Sequence, residues 1–223
     1  MDSQDFFTVE DAANLLGIST RRVRYLAEAG VIKKLARGIV DRDSVDRYDC
    51  SMRGGRTRSW VEHTAWGAVA LLAGERATWL GQTQESRLRG ALRAVHDAHD
   101  LVTRLRNLAT THTYGVHQSV RESLQARLVS PDLASLGISV AGNSIIDGYL
   151  PTAELDSVRK GLHLVETTGN GAAIRTTSFD MEHVARLVRT EVTAAISAAT
   201  SADPRLRDIG RRALDARLAG MAR

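Results

Sequence analysis

Hydrophobic positions in the first 50 residues change their spacing several times over a short distance. Val9, Ala12, Ala13, Leu15 and Leu16 fall at helical intervals behind Thr8, a good N-cap residue. Asp11, three residues after Thr8, suits a capping box, in which the cap and the third helical residue satisfy each other's backbone N–H groups. Gly17 ends this helix, because glycine enters the left-handed region at little steric cost. Ile18 plugs the turn, and Ser19 or Thr20 caps a second helix. In that helix Val23 and Leu26 lie three apart and face inward, which leaves Arg21, Arg22, Arg24 and Tyr25 outward; Gly30 closes it. Over residues 31–40 two short β-prone runs flank a basic segment with Lys33, Lys34 and Arg37, the pattern of a hairpin wing. Residues 43–48 read as a capped third helix.

Residues 51–59 form a Gly-rich basic linker, either an arm that tracks a phosphate backbone or minor groove or a plain solvated tether. Residues 60–73 predict a helix with Trp60, Trp66, Val69, Ala70 and Ala73 on one face and Gly74 as its stop. From Glu85, the steps Leu88, Leu92, Val95, His99, Val102 and Leu105 predict one long amphipathic helix, its stripe packed within the chain or against a partner helix. A further helix is expected over 119–128, ended by Ser130-Pro131. In the last third, residues 138–150 combine β-branched residues with the turn-prone Gly142-Asn143. Pro151-Thr152 opens a helix over 153–160 that Gly161 ends. Two strands, 162–167 and 172–177, joined by Thr168-Gly169-Asn170-Gly171, predict a β-hairpin. Two helices follow, over 181–199 and 204–219, the second started by Asp203-Pro204. The expected fold is mainly α with small β elements: a winged helix-turn-helix DNA-binding domain (1–50), a basic linker (51–59), a helical middle region (60–130) and a C-terminal α+β unit (131–223).

Charge sharpens this picture. Net charge is +4 and the isoelectric point about 9.6, which favours an anionic partner. The surplus is local: residues 20–37 hold six Arg or Lys against one acid, Glu28. An outward arginine face also serves merely to solvate a helix. The ordered series of capped helix, glycine turn, capped basic helix and wing is the more specific signal. It nominates Thr20, Arg21, Arg22, Arg24 and Tyr25 for the major groove and its edge, and Lys33, Lys34 and Arg37 for phosphates, with double-stranded DNA as the partner. Aromatic residues are only 4% of the chain, too few for a platform that stacks single-stranded bases. The lone Cys50 rules out an intrachain disulfide and fits a reducing compartment. Residues 1–5 are acidic and polar rather than signal-like, and the longest apolar run, 65–73, is too short to span a bilayer. A cytoplasmic, nucleoid-associated protein without a membrane partner is expected.

Catalytic motifs are missing from the sequence. His96 and His99 lie three apart beside Asp97 and Asp100, and His112 and His117 flank Gly115, but no HExxH, paired CxxC, GxSxG or GxxxxGK[ST] pattern accompanies them. No metal site, cofactor or enzymatic activity is expected.

The stretch from Phe6 to Tyr48 resembles the excisionase/MerR-like class of winged helix-turn-helix domains. The likeness lies in Thr8-Val9-Glu10-Asp11-Ala12-Ala13, Leu16-Gly17-Ile18-Ser19, Val23-Arg24-Tyr25, Gly30-Val31-Ile32 and Asp43-Ser44-Val45. Further motifs extend over most of the chain, among them Arg56-Thr57-Arg58-Ser59-Trp60, Asp147-Gly148-Tyr149, Leu162-His163-Leu164-Val165-Glu166 and Asp203-Pro204-Arg205. Together they resemble actinobacterial antitoxins of AbiE-type abortive-infection systems. That resemblance implies a DNA-binding transcriptional regulator, an antitoxin repressing its own toxin–antitoxin operon as a homodimer on DNA, with a nucleotidyltransferase toxin encoded nearby. A phage-derived repressor or excisionase-like architectural factor without a toxin, and a protein-interaction module, are the alternatives.

Overall fold

The computed structural model describes residues 6–42, 44–45, 48, 58–138, 146–167, 171–201 and 203–221. The fold is mainly α with small β elements, and it divides into two compact units, Met1–Arg58 and Ser59–Arg223.

In the first unit, β1 (Phe6–Thr8) leads directly into α1 (Val9–Leu16), followed by α2 (Thr20–Glu28), β2 (Lys34–Ala36) and β3 (Ile39–Asp41). The capping box forms as expected: Thr8 Oγ1 accepts from the Asp11 N–H at 3.1 Å, and Asp11 Oδ2 accepts from the Thr8 N–H at 3.4 Å. Gly17 is left-handed (φ 63°), which lets Ile18 N–H reach back to the Ala13 carbonyl at 3.1 Å. Ser19, rather than Thr20, caps α2, its Oγ accepting from Arg22 N–H at 3.3 Å. Val31-Ile32 is not a strand. Both N–H groups are drawn to the Leu26 carbonyl, so this run is the exit from α2 and buries Ile32. The wing strands follow it.

One strand was not anticipated. β1 pairs antiparallel with β3, with Phe7 opposite Val40, so β3 becomes the centre of a three-stranded sheet in the order β1-β3-β2. The Gly38 carbonyl at the wing turn accepts from Val9 N–H at 3.0 Å, fastening the turn to the start of α1. Ser44, Val45 and Tyr48 are helical, and Asp41 Oδ2 caps them by accepting from Ser44 N–H at 2.9 Å. Asp43, Asp46 and Arg47 of the expected third helix lie outside the described residues, as do Cys50 and linker residues 51–57. Val9, Ala12, Ala13, Val23, Leu26, Ile32, Val40 and Val45 form the core of this unit.

The second unit contains α3 (Glu62–Leu72), α4 (Gln82–Arg93), α5 (Ala98–Arg104), β4 (Thr110–Gly115), α6 (Arg121–Gln125), β5 (Asp147–Pro151), α7 (Leu155–Gly161), β6 (Val165–Glu166), β7 (Ala172–Thr177), α8 (Met181–Val188), α9 (Glu191–Ala199) and α10 (Pro204–Met221). Helix α3 is buried all round from Ala65 to Leu72, a core helix rather than an amphipathic one. The long helix expected from Glu85 is broken in two. Asp97 Oδ1 accepts from Asp100 N–H at 2.7 Å and so starts α5 afresh, a short polar side chain competing with helix continuation. Leu88, Leu92, Val95 and Leu105 all enter the main core with Leu101, so the stripe packs within the chain and is not a pairing surface. The helix expected over 181–199 is likewise split, because the Thr190 and Thr193 hydroxyls both donate to the Leu187 carbonyl, at 2.6 and 2.8 Å. The helix expected over 119–128 shortens to a 3₁₀ turn and α6.

The predicted hairpin is overturned. Strand order is β5-β7-β4-β6, so β4 lies between the two strands expected to pair with each other. β7 is antiparallel to β4 and parallel to β5, and β6 reaches only the end of β4 at Tyr114 and Gly115. The loop residues 168–170 and the turn Gly142-Asn143 lie outside the described residues. Arg175 on β7 meets Asp147 on β5 in a bidentate pair at 2.7 and 2.9 Å, with the two side chains only 12% and 18% exposed. Trp66 is fully buried against Tyr149 and stacked on Phe179, with Trp79 edge-on to the same phenyl ring. Helices α9 and α10 pack so closely that a Cβ built on Gly210 would sit 2.3 Å from the Ala199 backbone nitrogen.

Candidate nucleic-acid interface

Two inward side chains fix the orientation of α2. Val23 is fully buried and Leu26 nearly so, which forces the rest of the helix surface outward. Arg21, Arg22, Arg24 and Tyr25 are exposed, and Thr20, the first helical residue after the Ser19 cap, is half-buried. Lys33 precedes β2, Lys34 opens it, and Arg37 sits in the turn before β3; all three are exposed. The two groups are joined through Val31-Ile32. Direct contact occurs within α2, where the Arg22 guanidinium lies 5.1 Å from the centre of the Tyr25 ring. Tyr25 is 58% exposed.

A further exposed cation escaped the sequence reading. Arg42, just beyond β3, places its guanidinium 5.0 Å from the centre of the Phe7 ring. The only signal for it is the Phe6-Phe7 pair, whose meaning emerges once β1 is paired with β3 and Phe6 stands opposite Asp41. Val31 and Leu35 are also exposed, at 52% and 47%, and Leu35 occupies the irregular position in the β2–β3 register.

The two units treat their cations differently. Two carboxylates of the first unit are engaged, Asp11 with Thr8 and Asp41 with Ser44, while Glu28 on α2 is exposed. Among the described residues, none of Arg21, Arg22, Arg24, Lys33, Lys34, Arg37 and Arg42 forms an ion pair. In the second unit, arginines are neutralised repeatedly. Arg76 and Arg89 share the buried Glu85, Arg104 meets Asp100, Arg186 meets Glu75, Arg212 meets Asp208 and Arg217 meets Glu191. Other arginines of the second unit, among them Arg87, Arg93, Arg189, Arg205 and Arg211, form no ion pair among the described residues, and Arg223 lies outside the described residues.

Three of the seven histidines make local side-chain contacts. His112 Nε2 meets Thr176 Oγ1 at 3.1 Å across β4 and β7, His117 Nδ1 meets Ser119 Oγ at 2.8 Å, and His183 Nδ1 meets Asp180 Oδ1 at 3.3 Å. Among the described residues no group of three or more His, Cys, Asp or Glu is placed to hold a metal ion, and no helix is long and apolar enough to cross a membrane.

Residues 1–40 match a protein family described as "Transcriptional regulator, AbiEi antitoxin". The match covers β1 through the middle of β3, and thus α2 and the wing turn with every candidate residue named from the sequence. No curated protein and no solved structure matches the chain.

Proposed function

We propose that the first unit is a winged helix-turn-helix of the excisionase/MerR-like type that binds double-stranded DNA, and that the protein is a transcriptional regulator, the autorepressing antitoxin of a toxin–antitoxin operon. In this reading α2 enters the major groove, where Arg21, Arg22, Arg24 and Tyr25 meet base edges and Thr20 lies near a phosphate. Lys33, Lys34 and Arg37 meet phosphates beside it. The observation that carries the reading is the set of exposed cations on one capped helix and the adjoining wing, without ion pairs among the described residues. A polyanion supplies the charge that these side chains do not find among the described residues. The family match over residues 1–40 supports the same reading.

Residues 1–50 are then the DNA-reading domain and 51–59 the tether to the rest of the chain, with 60–130 and 131–223 providing the helical and α+β regions. One helix-turn-helix covers little DNA, so two copies on an inverted repeat are expected, with the neighbouring toxin a nucleotidyltransferase as the resemblance implies. The protein acts without catalysis of its own.

The test is selection of a binding site from random duplex DNA, followed by affinity measurements on that site. Arg22→Ala and Arg24→Ala should each lose about 1–3 kcal/mol of discrimination. Two variants that bind and footprint the site as the unaltered protein does would refute the assignment of α2.

A further inference from the structure

Tyr25 is the only aromatic side chain on α2, and the core does not need it: the ring is 58% exposed. Successive helical residues turn by about 100°, so Tyr25 lies about 40° from Arg21 and about 60° from Arg22 on the outward surface. The Arg22 guanidinium rests over the ring, 5.1 Å from its centre. An exposed ring flanked by two cations suits a partner that offers an apolar patch beside hydrogen-bond acceptors. In the major groove that combination is the 5-methyl group of thymine next to the O6 and N7 acceptors of guanine.

Resting on the DNA-binding reading above, we infer that Tyr25 is a specificity residue that packs its ring on a thymine methyl, while it holds Arg22 in place for an adjacent guanine. The stack fixes the guanidinium before binding, so less side-chain freedom is given up when the duplex docks. Tyr25 thus contributes twice, through its own apolar contact and through the position it gives Arg22. Its hydroxyl is not needed for either.

Deoxyuridine, which pairs as thymine does but lacks the methyl, isolates the first contribution. With the full chain and its selected duplex, each thymine is replaced in turn by deoxyuridine. One replacement should weaken binding by about fourfold, the worth of roughly one buried methyl-sized group. Tyr25→Ala should bind the two duplexes equally, whereas Tyr25→Phe should keep the difference. Circular dichroism of the variants checks that α2 is intact. Duplexes that bind alike at every deoxyuridine position would overturn the inference, as would a methyl effect that survives in Tyr25→Ala. A smaller salt slope in Tyr25→Phe, without any methyl effect, would place the hydroxyl on a phosphate and overturn it as well. Failure of the unaltered protein to prefer any duplex would instead sink the DNA-binding reading itself, and this inference with it.

Discussion

Gly210 provides a sharp test of the packing in the second unit. It lies within α10, where alanine is ordinarily preferred over glycine by about 0.8–1.0 kcal/mol. A Cβ there would stand 2.3 Å from Ala199 N, 2.5 Å from Ala195 O and 2.8 Å from Ala198 C, all backbone atoms of α9. Backbone cannot rotate out of the way as a side-chain tip can, so α10 must shift by about 1 Å to restore ordinary contact. Because α9 is buried from Val192 to Ala199, the shift disturbs packing on both sides of that helix. Overpacking of this kind costs about 1–3 kcal/mol, and a rigid backbone neighbour places it toward the upper end. After the gain in helix propensity, Gly210→Ala should be less stable by about 2 kcal/mol, lowering Tm by about 4–8 °C. Gly90 in α4 is the control: a Cβ there meets nothing within 4 Å, so Gly90→Ala should be stabilised by up to about 1 kcal/mol. Trp60, Trp66 and Trp79 are the chain's three tryptophans and all belong to the second unit, so selectively excited tryptophan fluorescence during thermal unfolding follows that unit alone. A Gly210→Ala protein that unfolds at the same temperature as Gly90→Ala, or higher, would refute the close approach of α9 and α10.

Three other outcomes are expected. Asp147→Asn leaves the Arg175 guanidinium without its carboxylate between β5 and β7, and should cost about 3–5 kcal/mol by urea titration, whereas an Asp147→Leu/Arg175→Met pair should lose clearly less. Burial pushes the Glu62 carboxyl pKa up, but hydrogen bonds from the Ser178 and Thr177 hydroxyls and the Ser178 and Phe179 N–H groups outweigh this and leave it below the usual carboxylate range. A pKa depressed by folding gives stability that is complete above the unfolded value, about 4.3, and lost as pH falls through the folded value; Glu62→Gln should therefore flatten part of the acid limb of a Tm–pH profile and leave neutral pH dependence unchanged. On the proposed interface, Lys33→Ala/Lys34→Ala should reduce the slope of log K against log salt by about 0.9 for each phosphate no longer neutralised, and an unchanged slope would remove the wing from the DNA.

Local chemistry made the first unit readable from sequence. The Thr8–Asp11 box, the left-handed Gly17 and the α2 cap each depend on residues within five positions of one another; the first two appear as the spacing predicts, and of the two candidate caps Ser19 takes the role. Failures there came from strands too short for alternation to show: three residues in β1 give no pattern until β3 lies beside them. In the second unit, composition conveyed the helices but not their breaks. Asp97 and Thr190 interrupt apolar stripes whose periodicity continues across them, since both halves face one core. The sheet was misread for a different reason. Thr167 and Ala172 are separated by a turn-rich loop that promises a hairpin, while Thr110–Gly115, read only for His112, inserts between them from far upstream. Arg42 at the candidate interface stayed hidden because its partner Phe7 is 35 positions away, brought near only by the β1–β3 pairing.

The position of β4 sets an order of events during synthesis. Thr110 and Thr176, bonded side by side in the finished sheet, are 66 positions apart, so β4 leaves the ribosome well before the strand that pairs along its length exists. Every pairing in the first unit closes within residues 6–41. At elongation rates of about 5–20 residues per second, on the order of ten seconds separate the completion of β3 from the arrival of β7. For that interval a growing chain carries a finished N-terminal unit ahead of an unfinished core whose apolar α3 has only part of its surroundings. Protease challenge of chains stalled near residue 120 would display the difference, as a resistant fragment ending before residue 60 followed by a sensitive remainder.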